Sequence, residues 1–255
     1  MSLRHWKTHA TAALQGRHWR ALFNILRKAR QPGDFLRRYL QGKGEYPATI
    51  DIRRDSSLVP VTVWSWHDVL TINEIFFRVD YPVPTGSKVV VDLGSNIGIS
   101  VLYFLLETGP DGLVYAYEPV PENLEKLRLN LRGYEGRFRL TPHAIGPAGG
   151  KASFGVEKTG RYGGLGLPGE KNIEVDVLDV NAEIRRILKR HERIDLLKID
   201  IESLELDLLR AIDRDSLRKI RRIHLELNGE LDFAADGFAV SRRGLIYTLK
   251  NTWLS

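Results

Sequence analysis

The 255-residue sequence contains no cysteine. That absence excludes disulfides and thiolate metal sites while leaving the compartment open. Long apolar runs are missing as well. VLYFLL at 101–106 is far shorter than the ~20 residues that span a bilayer. The opening MSLRHWKTHA has none of the apolar core of a secretory signal. The expectation is a soluble, cytoplasmic protein. Acid is nearly absent from one end: residues 1–44 hold ten Lys/Arg and a single acid, Asp34. That segment carries +9, the remainder, with 28 basic and 31 acidic residues, carries −3, and the whole carries +6. The basic pI therefore belongs to an arm on a mildly acidic body, which excludes a fold that binds nucleic acid over its whole surface.

What is present is ordinary globular material, 43% hydrophobic and 27% charged, enough to build a core. In the arm, residues 1–45, Trp19, Leu22, Phe23 and Leu26 recur at helical spacing among Arg20, Arg27, Lys28 and Arg30. Two readings stand: a helical cap packed on the main domain, or a basic contact to an anionic membrane surface or phosphorylated carrier. Short β-like runs, ATIDIR and VPVTVWSW, follow from about residue 48, then a helix around Asn73 to Phe77.

From residue 88 strands and helices alternate. Strands are read at 88–93, 113–117, 137–141, 194–200 and 220–227, with helices at 98–107, 121–132, 181–191 and 204–212. This alternation predicts an α/β fold over residues 46–255: a doubly wound, mostly parallel sheet carrying a basic helical N-terminal extension. Residues 146–172 interrupt it with nine glycines in 27 positions, read as a hairpin of KASFGVE and NIEVDVL, either a lid or a surface feature.

The chemistry concentrates in VVVDLGSNIG, residues 89–98. A buried strand accounts for the valines but not for Asp92 at its end, nor for Gly94 and Gly98 in the turn before the next helix. A dinucleotide fingerprint would need glycine at positions 94, 96 and 99, where the chain has Gly94, Asn96 and Ile99. A Gly-Lys-Ser/Thr phosphate loop is also missing. An acid at this position repels a pyrophosphate and suits a ligand bearing positive charge. Glu118 ends the next strand, where a carboxylate accepts from the two hydroxyls of an unphosphorylated ribose. Together these favour S-adenosylmethionine.

The segments VVVDLGSNIGISVLYF, AYEPVPENLEKLRLNL, PHAIG, and IEVDVLD followed by IDLLKIDIES resemble the FkbM-type family of S-adenosylmethionine-dependent methyltransferases, over about residues 65–245. The resemblance implies a Rossmann-like fold with a seven-stranded sheet and O-methylation of sugar or natural-product hydroxyls. It places Asp92, Gly94, Ser95, Asn96 and Gly98 around the methionine part of the cofactor, Glu118 on the ribose, and His143 with Ala144 near the adenine. Where the family has glycine after the K-x-D-x-E acid, this chain has Ser203.

On IDLLKIDIES, Lys198, Asp200 and Glu202 alternate toward the strand's carboxyl end. Asp200 and Glu202 are the candidate catalytic bases, or joint holders of a divalent metal, with Lys198 as acceptor contact or neutralising partner. Glu226 and Asn228, ending IHLELNG, are further acceptor contacts, and Arg161 at the tip of the glycine-rich loop closes over substrate. His224 reads as a core histidine. Competing functions are a nucleic-acid methyltransferase using the arm and a cofactor-binding protein without catalysis. The chain has Asp-Ile-Glu-Ser where base-modifying amino methyltransferases carry Asn/Asp-Pro-Pro-aromatic.

Overall fold

The computed structural model describes residues 16–156, 163–167, 169–202, 204–233 and 237–254. Contacts divide the chain into two compact units, Met1–Asp80 and Tyr81–Ser255. The first unit thus joins the basic arm to the β-like runs that follow it. The reason is that the β-like runs after residue 48 pack with the helices that precede them.

In the first unit, α1 (Gly16–Lys28) and α2 (Pro32–Gln41) precede a hairpin of β1 (Ala48–Arg54) and β2 (Ser57–Val63). Then come α3 (Trp66–Ile72) and a π-helical turn, Asn73–Arg78. Ala29 bridges Ile52 of β1, the Asn24 amide donates to the Phe77 carbonyl at 2.7 Å, and Phe35 meets Phe77 edge-on. Ser65 and Asp68 form a reciprocal capping box at the start of α3, where such a cap contributes about 1 kcal/mol.

The second unit is built on β3 (Val89–Leu93), α4 (Ile99–Glu107), β4 (Leu113–Tyr117), α5 (Pro121–Asn130) and β5 (Phe138–Thr141). A small sheet follows, of β6 (Ala144–Gly146), β7 (Gly150–Val156), β8 (Gly163–Leu165) and β9 (Lys171–Asp179). The chain returns through α6 (Val180–Leu188), β10 (Leu196–Ile199), α7 (Glu205–Ala211), α8 (Arg214–Arg218) and β11 (Arg222–Glu226), and closes with β12 (Phe238–Arg243) and β13 (Ile246–Asn251). The principal sheet has seven strands in the order β12-β13-β11-β10-β3-β4-β5. Pairings from β11 to β5 are parallel and the two joining β13 to β11 and β12 are antiparallel. This is the mostly parallel α/β sheet expected, extended at one edge by two strands that the alternation of helices did not announce.

All five residues of β3 are buried, as a central parallel strand covered on both faces requires. On one face Val91, Leu93, Tyr115 and Tyr117 pack with Ile184, Ile187, Leu208 and Leu209. β7 and β9 pair antiparallel, as read, and Phe154 of β7 packs with Val120, Ala144, Val175 and Val177. Among the described residues no helix is long and apolar enough to cross a membrane.

Candidate functional site

From β3 the chain runs outward through β4 to β5, then returns to β10 on the other side of β3. The carboxyl ends of β3 and β10 are therefore the point where strand order reverses, and loops leaving in opposite directions open a crevice there. Asp92 and Lys198 are register partners across those strands.

The loop after β3 directs its backbone inward. The amides of Gly94 and Ser95 both donate to the Tyr117 carbonyl, at 3.2 and 3.0 Å, and the Gly98 amide to the Ser95 carbonyl at 2.9 Å. The Asn96 amide donates to Glu118 Oε2 at 2.9 Å. With these four amides engaged, the loop is not a phosphate cradle, which supports the sequence argument against a pyrophosphate. Gly94 has φ +80°, and a Cβ there would overlap the backbone carbonyl of Asp200. At Gly98, φ +85°, a Cβ would sit 3.0 Å from the Leu127 side chain. Both glycines thus serve close packing of the chain on itself, between the ends of β3 and β10 and against α5.

Asp92 and Lys198 are 0% and 2% exposed. Lys198 Nζ lies 3.1 Å from Asp92 Oδ1, 3.1 Å from Asp200 Oδ2 and 3.2 Å from the Gly94 carbonyl. Burial pulls the Lys198 ammonium down, but Asp200 and Asp92 outweigh it and hold its pKa above the usual lysine value. Ser100 Oγ donates to Asp92 Oδ2 at 2.6 Å. One buried cation thus serves two carboxylates, while burial pushes the Asp92 carboxyl up. The charge of Asp92, read as suiting a positively charged ligand, is answered within the chain by Lys198. Lys198, read as acceptor contact or neutralising partner, lies beneath the surface between Asp92 and Asp200.

Asp200 retains 28% side-chain exposure, and its amide donates to the Leu93 carbonyl at 3.2 Å. Glu202 is half-buried with φ +59°, a left-handed conformation uncommon away from glycine. Among the described residues no group of three or more His, Asp or Glu is placed to hold a metal ion. At Asp200 an ammonium already lies where a second cation would compete. Ser203 and Arg161 lie outside the described residues.

Glu118 follows β4 and is 5% exposed. Its Oε1 accepts from the Val120 amide at 3.0 Å and the Asn123 side chain at 3.2 Å, and its Oε2 from Asn96. Burial pushes its carboxyl up to about 6 against the pull of these donors. A carboxylate offers about four acceptor sites, so three internal donors leave room for a further one. His143 stands between β5 and β6, and its Nδ1 is buried without a hydrogen-bond partner. Ala144 beside it is 5% exposed.

At the end of β11, Glu226 Oε2 accepts from the Tyr81 hydroxyl at 2.7 Å, and the Tyr81 ring centre lies 5.6 Å from Lys198 Nζ. Asn228 is exposed two residues further on. His224 is a core residue, as read. Its Nε2 donates to the Pro82 carbonyl and its Nδ1 faces Thr248 Oγ1, with burial lowering its pKa to about 4. The sequence reading missed Tyr81, Ser100, Asn123 and Glu205. Tyr81 sits in a proline-rich lead, YPVP, with no periodicity to mark it. Ser100 is one residue into an apolar helix, where an isolated hydroxyl facing the strand acid was the available signal. Glu205, buried at the start of α7, has its carboxyl pushed up by burial while accepting from the amides of Glu202 and Ile201.

AMB antimetabolite synthetase AmbE of Pseudomonas aeruginosa is 28% identical over 66% of this chain, and the chain spans only 10% of that synthetase's length. Methyltransferase 1 of Beauveria bassiana is 26% identical over 66% of this chain and 80% of its own. Among solved structures, cofactor-bound Rv0187 from MTB is similar at 15% identity and a TM-score of 0.40, covering 66% of this chain and 74% of that one. The model of the methyltransferase FkbM domain matches residues 92–242, from the buried acid of β3 into β12, and on that match the chain belongs to the FkbM methyltransferase family.

Proposed function

We propose that the chain transfers a methyl group from S-adenosylmethionine to a hydroxyl of a glycan or small natural product. The family implies this cofactor, and the residues present fit it. The buried, unpartnered Nδ1 of His143 is a polar atom that a hydrogen-bonding heterocycle edge would satisfy. The Glu118 carboxylate has acceptor capacity left for a ribose hydroxyl. Bound there, the cofactor supplies an electrophilic methyl on a sulfonium.

The observation that carries the hydroxyl reading is the Lys198–Asp200 pair. The Lys198 ammonium, 3.1 Å from Oδ2, orients the partly exposed Asp200 carboxylate after β10. A carboxylate so oriented would receive the acceptor's O–H proton at its oxygen, a contribution of about 10²–10⁴ in rate. Glu226, held by the Tyr81 hydroxyl, would accept from a neighbouring hydroxyl of a polyol. The relationship to an antimetabolite synthetase and to fungal methyltransferases favours small-molecule acceptors. Alignment of acceptor and methyl contributes the larger share, up to about 7–11 kcal/mol in favourable systems.

The test is methyl transfer from labelled cofactor to a panel of sugars and hydroxylated natural products. Asp200→Asn should lower kcat about 10²–10³-fold while leaving cofactor affinity unchanged. Transfer to amines or nucleic acid with hydroxyl acceptors inert would overturn the reading, as would an unaffected Asp200→Asn.

A further inference from the structure

The helix of the basic arm does not bury the face that its hydrophobic spacing advertises. In α1, Trp19, Phe23 and Leu26 are 62%, 62% and 57% exposed. Their i, i+4, i+7 spacing puts them in one stripe along the helix. The face turned inward consists of Ala21 and Ile25, and the Asn24–Phe77 hydrogen bond sets the rotation of the helix. α1 packs within its own unit through small residues, and its largest apolar side chains stay more than half exposed.

Arg20 and Arg27 are exposed as well, and at ~100° per residue both project on one flank of that stripe. The whole net charge of the protein lies in this unit. Residues 1–80 contain thirteen Lys/Arg and seven Asp/Glu, whereas residues 81–255 contain twenty-five of each.

We propose that α1 is an in-plane anchor that lays Trp19, Phe23 and Leu26 on an anionic lipid bilayer surface, with Arg20 and Arg27 meeting the headgroups. A helix packed along one side and apolar along the other offers a single face, the geometry of an interfacial helix. The tryptophan, apolar in body with one polar N–H, suits the headgroup boundary. A second copy of the chain is a poor occupant, because each would bring +6 to the same contact. This inference uses only the first unit and does not depend on the acceptor proposed above.

The test is sedimentation of the full chain with phosphatidylcholine vesicles, with and without phosphatidylglycerol. The chain should pellet with the anionic vesicles, less so as salt is raised, and stay in the supernatant with phosphatidylcholine alone. Arg20→Gln with Arg27→Gln should weaken binding roughly 25-fold, about fivefold per cation removed. Trp19→Ser with Phe23→Ser should abolish it, whereas Leu129→Ser, at an exposed leucine of α5, should bind as the parent does. All these sites are exposed, so circular dichroism should find the variants folded. No sedimentation with anionic vesicles, or sedimentation that both double variants retain, overturns the proposal. Self-association lost on Trp19→Ser with Phe23→Ser, without lipid binding, would assign the face to a second copy.

Discussion

At the residue scale, the second unit turns on two buried charges, Asp92 and Lys198, with a partly exposed acid beside them. Asp92, Lys198 and Asp200 form a line in which the lysine is held by carboxylates on both sides. Lys198→Met should leave the Asp92 carboxylate, fully buried, with only the Ser100 hydroxyl. That change should cost about 3–5 kcal/mol in urea unfolding, and adding Asp92→Asn should recover most of it. A loss below about 1 kcal/mol would show that the pair is not ionic. Glu118 is the other buried acid, and its carboxyl is raised from 4.5 to about 6 by burial. The folded chain holds this proton more tightly than the unfolded one. Its contribution to stability is therefore greatest at acid pH and falls as pH rises toward about 6. With the proposed ribose contact at Glu118, cofactor binding would run the opposite way, since only an ionised carboxylate accepts from both hydroxyls. Calorimetric titration with S-adenosylmethionine should show affinity climbing through pH about 6, with Glu118→Gln weaker and flat.

At the scale of elements, the antiparallel edge is tied to the sheet by a side chain the sequence gave no reason to notice. Asn251 ends β13 and is 0% exposed. Its Nδ2 donates to the carbonyls of Leu217, Arg218 and Ile220, and its Oδ1 accepts from the Trp253 amide at 2.8 Å. One amide thereby satisfies the open carboxyl end of α8 and fixes the turn after β13. Asn251→Leu should cost about 2–3 kcal/mol by urea unfolding, because it strands several buried carbonyls. Lys250→Ala, exposed in the same strand, should stay within about 0.5 kcal/mol. Elements with a strong pattern were legible beforehand: β3, β4 and α5 appear within two residues of their expected bounds. β12 was not legible, since FAVSRR is exposed nearly throughout and has no alternating pattern to mark a strand.

For the molecule as a whole, the organisation into two units has a thermodynamic signature. Glu118, His143, Asp200 and Glu226 all belong to residues 81–255. Differential scanning calorimetry should show two transitions, with S-adenosylmethionine at one hundred times its Kd adding about 2.7 kcal/mol to one of them and leaving the other in place. A single transition that moves as a block would show that the units unfold together. The charge is divided in the same way: the cationic surplus belongs entirely to residues 1–80 and the cofactor-side residues to a unit of zero net charge.

The sequence by itself determined the α/β class, the order of strands and helices from residue 88, the family, and the identity of the polar residues at the ends of β3, β4, β10 and β11. These are local properties, written in periodicity and in the residue types that end each strand. Tertiary structure decided which of those polar groups face each other. Asp92 and Lys198 are 106 residues apart in sequence and meet only because β10 returns beside β3. Their burial turned a presumed ligand contact into an internal ion pair. The same holds for α1. Helical spacing announces an apolar stripe, but only the packing of Ala21, Ile25 and Asn24 against the rest of their unit determines that the stripe faces water.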